Sequence, residues 1–323
     1  MTKKLWEGKE GMSRWLRRVA VTLIGLLILL ALAGVSYQAI EARADAQRFP
    51  EPGRLVDIGG HRLKLNCTGS GRPTVVLESG LGDVSIEWNP IQQEISKFSR
   101  VCSYDRAGYG GSDPGPMPRI SAQIAKELHT LLTNAGEHPP YLLVGHSFGG
   151  YNVRVFNGQF PDQVAGTVLV DAIQEDQYEL LPKVWTGIGA ALLHRFRSQA
   201  RWAPLLIGLG IARLQLRSQV ADQNSYLYLQ SKYLEARASE LEQIQISAEQ
   251  ARASGNLGNK PLVVLTAGKS FDALRGRGLS EQDFADSQRI WVDDLQMRLA
   301  RLSTRGKRVV VPDSGHDIPS EAP

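Results

Sequence analysis

Ser147 lies in the pentapeptide Gly145-His-Ser-Phe-Gly149, which matches the pattern G-x-S-x-G. A strand-like apolar run at 141–145 leads into it, and residues 151–160 have the composition of the helix that should follow. A serine at such a strand-to-helix turn presents its hydroxyl above the sheet as a nucleophile. The competing interpretation is a phosphate-binding turn, but the chain has no G-x-x-x-x-G-K-[ST] segment and no G-x-G-x-x-G after its first strand.

His316 is the residue best placed to act as a base for Ser147. A serine hydroxyl is a poor nucleophile until a base takes its proton. His316 follows the last strand-like run, in Pro312-Asp-Ser-Gly-His316, and catalytic groups of an open sheet gather at the carboxyl ends of its strands. The other five histidines lie in settings that favour packing or surface roles: His61, His129, His138, His146 and His194.

The elements that would position these residues alternate along the chain. Short, nearly continuous Val/Leu runs are typical of buried parallel strands, and they occur at 74–78, 141–145, 164–170, 261–266 and 308–312. Helical periodicity covers 121–135 and 281–303. This alternation predicts an α/β fold with a mostly parallel sheet and helices on both faces. The leucine-rich segment 173–258 has no convincing strand, so it predicts a helical cap inserted between two strands.

The N-terminal segment carries much of the formal net charge of +4. Residues 1–18 are basic, and residues 19–40 contain no charged side chain. About 22 helical residues cross the ~30 Å hydrocarbon layer of a bilayer. The basic flank predicts a cytoplasmic N-terminus and a main domain outside the inner or plasma membrane. The alternative is a signal sequence cleaved near Ala31-Leu-Ala33, which would release a secreted protein.

The remainder of the chain is close to neutral, so its composition predicts no nucleic-acid partner. Residues 41–53 read as a linker or helical stalk, followed by a core built from 54–172 and 259–323. In an exported protein Cys67 and Cys102 either form a disulfide or stay as two separately buried thiols. Their spacing fits no metal site.

From about residue 52 to residue 319 the chain resembles the α/β-hydrolase superfamily. Four segments match the family in order. The first is the oxyanion loop, Glu78-Ser-Gly-Leu-Gly82, and the second is the family's D-x-x-G-x-G-x-S loop, Tyr104-Asp-Arg-Ala-Gly-Tyr-Gly-Gly-Ser112. The third is Gly145-His-Ser-Phe-Gly149 and the last is Pro312-Asp-Ser-Gly-His316. The family usually has His-Gly in the first segment, where Ser79-Gly80 stands here. This change does not affect the role that the resemblance implies for the segment, because that role belongs to its backbone N–H groups and not to its side chains.

The resemblance implies several further features. The backbone N–H groups of Leu81 and Phe148 would hold an oxyanion. The strands carrying Cys67 and Cys102 would be neighbours, which favours a disulfide between them. The family also has a final helix after the catalytic histidine, whereas only seven residues follow His316.

The third catalytic residue should be an acid that orients His316. The resemblance allows two positions, Asp171 at the end of the 164–170 strand and Asp272 after the next strand. The family pattern puts the acid three residues past a glycine, where Phe271 stands, so Asp272 is one residue out of register. This mismatch favours Asp171, with Asp272 as the alternative.

Together these features predict a membrane-anchored serine hydrolase that cleaves a carboxylic ester or a related acyl bond through an acyl-enzyme, with no metal or cofactor. The expected partners are a small acyl substrate and the membrane. In this fold, haloalkane dehalogenases and epoxide hydrolases use an aspartate at the elbow, and Ser147 argues against their chemistry. An acyltransferase with the same triad, and a ligand-binding or sensory module on the same fold, are the alternatives.

Overall fold

A computed structural model describes residues 2–50, 52–216, 226–227, 229–272, 275 and 279–323, with side chains from residue 14 onward. The chain forms two compact units. The N-terminal unit comprises Met1–Pro50 and Arg201–Ser231, and the sheet unit comprises Glu51–Ala200 and Lys232–Pro323. Parts of four predicted segments lie outside the described residues: 1 of the basic N-terminal segment, 51 of the linker, 217–225 and 228 of the cap, and 273–274 and 276–278 of the second core segment.

The N-terminal unit contains one long helix, α1 (Thr2–Arg48). Within the described residues, its Arg14–Arg48 portion is the one helix long and apolar enough to cross a membrane, and its most apolar stretch is not buried inside the protein. The helix continues through most of the segment that was predicted to be a linker or stalk. The second part of this unit holds the end of the helix Val184–Gly208 and the short helix Ile211–Leu216.

Eight strands form the sheet of the second unit. They are β1 (Arg54–Asp57), β2 (Arg62–Thr68), β3 (Thr74–Glu78), β4 (Val101–Tyr104), β5 (Tyr141–His146), β6 (Val164–Val170), β7 (Leu262–Ala267) and β8 (Gly306–Val311). Their order is β1-β2-β4-β3-β5-β6-β7-β8. β1, β2 and β4 pair antiparallel, and the pairs from β4 to β8 are parallel. The predicted α/β-hydrolase architecture is confirmed.

The remaining helices flank this sheet or lie in the segment predicted to form the cap, of which residues 201–231 belong to the N-terminal unit. The flanking ones are α2 (Asn89–Ser96), α3 (Ser121–Ala135) and α4 (Gly149–Gln159). The cap region holds α5 (Gln177–Leu180), α6 (Val184–Gly208), α7 (Ile211–Leu216), α8 (Ser231–Glu242) and α9 (Ile244–Ala253). The last are α10 (Glu281–Arg289), α11 (Gln296–Ala300) and α12 (Ile318–Glu321). A π-helical turn, Ile290–Leu295, joins α10 to α11 inside the segment predicted as one helix.

The sheet has a hydrophobic core on each face. Alternate residues of a strand point to opposite faces, so Val76 of β3 joins one core while Val75 and Leu77 join the other. All five residues of β3 are buried. Burial on both faces explains why this strand is a continuous apolar run rather than an alternating one.

Cys67 and Cys102 form a disulfide across the antiparallel pair of β2 and β4. The two residues are direct register partners, with Cα atoms 4.1 Å apart. The bond therefore joins two neighbouring strands of the sheet near its β1 edge.

Candidate active site

Ser147 lies on the turn between β5 and α4, with a backbone φ of 52°. This left-handed conformation is uncommon for a residue other than glycine and marks a strained turn. Glycine is required two residues later, because a Cβ at Gly149 would lie 2.6 Å from the carbonyl oxygen of Glu78. The close approach of α4 to β3 is what allows so sharp a bend, and it leaves the serine directly beyond the carboxyl end of β5.

Two hydrogen bonds join Ser147, His316 and Asp171. Ser147 Oγ lies 2.9 Å from His316 Nε2, and His316 Nδ1 lies 2.7 Å from Asp171 Oδ2. When Nδ1–H donates to the carboxylate, Nε2 is left as an acceptor for the serine hydroxyl. The Asp171 side chain is fully buried, whereas that of His316 is 39% exposed. The structure thus brings these three predicted residues together in serine–histidine–acid order.

The Asp171 carboxylate accepts three further hydrogen bonds. Ser270 Oγ donates to it at 2.8 Å, Trp291 Nε1 at 2.9 Å and the backbone N–H of Ala267 at 3.0 Å. These donors satisfy both oxygens of a carboxylate that no water reaches, and they fix the carboxylate that faces His316. The sequence does not indicate Trp291, because its indole lies on the π-helical turn, 120 residues away from Asp171 along the chain.

Asp272, the alternative acid, lies on an exposed turn after β7. Its backbone N–H donates to the carbonyl oxygen of Lys269 at 3.0 Å. Among the contacts of the described residues, none joins its carboxylate to His316. In this turn Ser270 is the residue that contacts Asp171, whereas Asp272 is exposed.

Side chains hold three carbonyl groups of the loop formed by residues 79–82, which lies within the predicted oxyanion segment, residues 78–82. Arg106 donates to the carbonyl oxygens of Ser79 and Gly80, each at 2.7 Å. Tyr233 of α8 donates to that of Gly82 at 2.9 Å. Leu81 lies between these fixed points. Among the hydrogen bonds of the described residues, none uses the backbone N–H of Leu81 or of Phe148.

Arg106 is itself held by two buried carboxylates. Its guanidinium contacts Glu78 at 3.0 Å and Glu240 of α8 at 2.8 Å, and all three side chains are almost fully buried. Tyr104 donates to Glu78, and Tyr109 donates to Glu240 at 2.6 Å. Burial raises the pKa of Glu78, and the charge of Arg106 opposes that rise. The sequence signal was the arginine of the D-x-x-G-x-G-x-S loop, but nothing in the sequence pointed to Glu240.

His146 forms a second polar cluster beside the nucleophile. Its Nε2 lies 3.0 Å from the backbone oxygen of His316, and its Nδ1 lies 3.4 Å from Asp83. Burial lowers the pKa of His146, but the hydrogen bond and charge of Asp83 outweigh it, so the pKa is raised. Glu87 lies in the same cluster, where burial and then the charges of Asp83 and Asp317 raise its pKa to about 8. His146 thus supports the loop that carries His316.

Cys67, Cys102 and Glu137 are the group of potential metal ligands that lie within reach of one another among the described residues. The two sulfurs are joined in the disulfide, so they are not thiolate ligands. Glu137 pairs with Arg100 at 2.6 Å. This group is therefore explained by the packing of β2 and β4.

The family model of the α/β hydrolase fold matches residues 73–323. The chain therefore belongs to this family. Among solved structures, a thermophilic esterase from Thermogutta terrifontis has the same fold, with a TM-score of 0.56 and 20% sequence identity. That comparison covers 84% of this chain and 93% of the esterase.

Two curated relatives match parts of the chain. A probable transporter of Hormonema carpetanum, efuK, is 31% identical over 174 residues, which are 47% of this chain and 25% of that protein. An uncharacterized protein of Bacillus subtilis (strain 168), YbdG, is 27% identical over 165 residues, which are 50% of this chain and 51% of that protein. The chain thus spans between a quarter and about half of the length of these relatives.

Proposed function

We propose that this chain is a serine hydrolase that cleaves a carboxylic ester, or a related acyl bond, through a covalent acyl-enzyme. The observation that carries the proposal is the pair of hydrogen bonds from Ser147 to His316 (2.9 Å) and from His316 to Asp171 (2.7 Å). Membership of the α/β-hydrolase family supports this class of reaction. A protein that only bound a ligand would have no need for this set of residues.

Acylation begins when Ser147 Oγ attacks the ester carbonyl carbon while His316 Nε2 takes the hydroxyl proton. The carbonyl electron pair moves to its oxygen, giving a tetrahedral intermediate. Asp171 keeps the proton on Nδ1 and stabilises the imidazolium that forms. The intermediate collapses as the bond to the alcohol oxygen breaks and His316 returns the proton to the leaving alcohol. Water then repeats the same steps on the acyl-enzyme, releasing the acid and restoring Ser147.

The negative charge of the tetrahedral intermediate would be held by the backbone N–H groups of Leu81 and Phe148. Phe148 directly follows the nucleophile at the start of α4, and Leu81 lies in the 79–82 loop. Arg106 and Tyr233 fix the carbonyl groups on either side of Leu81. The donors therefore need not reorganise when charge develops, which is the condition for strong oxyanion stabilisation.

The substrate class is proposed by fold analogy with the solved esterase. An ester has an electrophilic carbonyl carbon that Ser147 can attack and an alcohol oxygen that His316 can protonate as it leaves.

We also propose that α1 is a membrane anchor, with the basic N-terminal flank in the cytoplasm and the sheet unit outside. Support comes from the length and apolar composition of the helix and from the positive charge on its N-terminal side.

A fluorophosphonate probe tests the nucleophile, since it reacts covalently with activated serines. The purified full chain should be labelled on Ser147, and Ser147→Ala should lose both the labelling and the hydrolysis of p-nitrophenyl esters. Ser198→Ala, which changes an exposed serine of α6, is the matched control and should keep both. Full esterase activity in Ser147→Ala would overturn the proposal. Transfer to an added alcohol in place of hydrolysis would identify an acyltransferase instead.

A further inference from the structure

The N-terminal unit exposes large apolar side chains outside α1. They lie in residues 201–214, on the end of α6 and on α7. Trp202, Leu205, Ile211 and Leu214 are 51%, 53%, 38% and 60% exposed. We call these four residues the cap patch. Trp202 and Leu205 are three residues apart on α6, and Ile211 and Leu214 are three residues apart on α7, so each pair shares a helix face. Exposed apolar side chains grouped in this way mark a surface that binds a protein or a membrane.

The cap patch is placed next to α1 by a close backbone contact. A Cβ at Gly34 of α1 would overlap the carbonyl oxygen of Leu209 in the turn between α6 and α7. A Cβ at Gly210 of the same turn would lie 2.9 Å from the carbonyl oxygen of Gly34. Two glycines thus let the turn and α1 approach each other at the level of residue 34.

Residue 34 lies inside the uncharged stretch of α1, which runs from Val19 to Ile40. At 1.5 Å per residue, Gly34 is roughly 9 Å below Ile40 along the helix axis. That stretch of about 22 residues matches the ~30 Å hydrocarbon layer. When α1 spans a bilayer, the turn at Leu209 and Gly210 therefore lies at the depth of the acyl chains.

Arg213 and Asp45 are two buried charged residues that pair with each other just beyond the end of that stretch. Arg213 of α7 pairs with Asp45 at 2.6 Å and donates to Gln38 at 3.0 Å. Asp45 lies beyond Glu41, the first charged residue after the apolar stretch. A long basic side chain that reaches from apolar surroundings to a polar partner is typical of the membrane interface. Trp202 is of the residue type that is enriched at that boundary.

We propose that the cap patch binds the bilayer that α1 crosses, entering the leaflet on the side of the C-terminal end of α1. The apolar side chains of the patch contact acyl chains, and the Arg213–Asp45 pair lies at headgroup level. This inference rests on the proposed role of α1 as a membrane anchor. It adds a second, monotopic contact to that anchor, formed by the cap patch.

Depth-dependent fluorescence quenching tests this inference on the full chain in lipid nanodiscs. The chain's two cysteines are both in the disulfide, so a single introduced thiol takes the NBD fluorophore selectively. The variants are Leu205→Cys and Leu214→Cys in the cap patch, Leu27→Cys in α1, and Phe98→Cys as the matched control. Phe98 is an apolar residue of the sheet unit that is 77% exposed. Every labelled variant is used only if it keeps the thermal unfolding temperature of the wild type.

Phosphatidylcholine with a nitroxide on its acyl chain should quench NBD at 205, 214 and 27 several-fold more strongly than at 98. Aqueous iodide should show the reverse order. Loss of acyl-chain quenching at 27 would overturn the anchor and the inference together. Quenching at 27 without quenching at 205 and 214 would overturn the cap-patch inference alone. In that case strong iodide quenching means a hydrated patch, and protection from both quenchers means that a second copy of the chain or another protein covers it.

Discussion

The two loops that flank Ser147 are held in different ways. The 79–82 loop is fixed from outside its own sequence by Arg106, which is buried between Glu78 and Glu240, and by Tyr233 of the cap helix α8. The 312–317 loop that carries His316 is held near the surface. Its contacts include the backbone bond from Lys269 to Ser314 at 2.9 Å.

This difference follows from what each loop would do in the proposed reaction. Oxyanion donors act through a fixed position, because stabilisation is largest when nothing reorganises. A buried, fully hydrogen-bonded ionic network is suited to that requirement. His316 must instead gain and lose a proton, and only its Nδ1 side needs a buried partner, which is Asp171. The 79–82 loop is thus held by a buried ionic network, whereas the imidazole of His316 is oriented by the carboxylate of Asp171.

The largest expected effect on activity comes from replacing Asp171, the carboxylate that orients His316. Asp171→Asn keeps the shape of the acid but offers Nδ1 an amide, which favours the wrong imidazole tautomer. We expect kcat for ester hydrolysis to fall on the order of 10⁴-fold. Asp272→Asn is the matched control and should change kcat by less than about 2-fold, since surface substitutions have small effects. Equal losses in the two variants, measured by initial rates, would show that Asp171 is not the acid.

A smaller effect is expected from the other loop. Arg106→Lys keeps one positive charge between Glu78 and Glu240 but cannot reach both carbonyl groups and both carboxylates with a planar fork. We expect kcat to fall on the order of 10²-fold, with KM nearly unchanged, because oxyanion donors act in the transition state. Arg62→Lys, in an exposed pair with Asp113, is the control.

A KM effect larger than the kcat effect in Arg106→Lys would contradict this assignment. It would indicate that Arg106 shapes the substrate site rather than the 79–82 loop. Thermal unfolding of the variant separates either result from a loss of folding, which is a risk wherever a buried ion pair is disturbed.

Much of the fold could be predicted because its signals are local. The runs at 74–78 and 164–170 have the same bounds as β3 and β6, and the helical periodicity at 121–135 has the same bounds as α3. The two strands are identified by short, nearly continuous apolar runs, and the helix is identified by its periodicity. The prediction of one helix over 281–303 is less accurate, because a π-helical turn interrupts it. Hydrophobic periodicity does not indicate such a turn.

The candidate site could be predicted only in part for a related reason. Ser147, Asp171 and His316 each follow a strand, so sheet order brings them to one edge of the sheet. Asp272 also follows a strand, so sheet order alone could not choose between the two acids. The positions of the residues that support Ser147, Asp171 and His316 do not follow from sheet order. Glu240 contacts Arg106 across 134 residues of sequence, and Trp291 contacts Asp171 across 120. Such pairs depend on how the cap and the π-helical turn pack, which no local pattern encodes.

The smallest expected effect concerns the acids near the 312–317 loop. Glu78 has Arg106 as a partner, whereas burial and then the carboxylates of Asp83 and Asp317 raise the pKa of Glu87 from 4.5 to about 8. The fold therefore favours the neutral form of Glu87. The stability that this gives is fully present below pH 4.5 and is lost as the pH rises through about 8.

Between these limits, Glu87 should lower the free energy of unfolding by at most about 1.4 kcal/mol per pH unit. Glu87→Gln removes this dependence, so its unfolding temperature should fall less steeply than that of the wild type from about pH 5 to about pH 8. His146 also has a raised pKa and contributes a slope of the same sign to both proteins, which is why the difference between them is the quantity to measure. Glu94→Gln, an exposed substitution on α2, should leave the slope unchanged. Parallel curves for wild type and Glu87→Gln would show that Glu87 is already ionised in this range and that the cluster holds the 312–317 loop as charges rather than as a neutral acid.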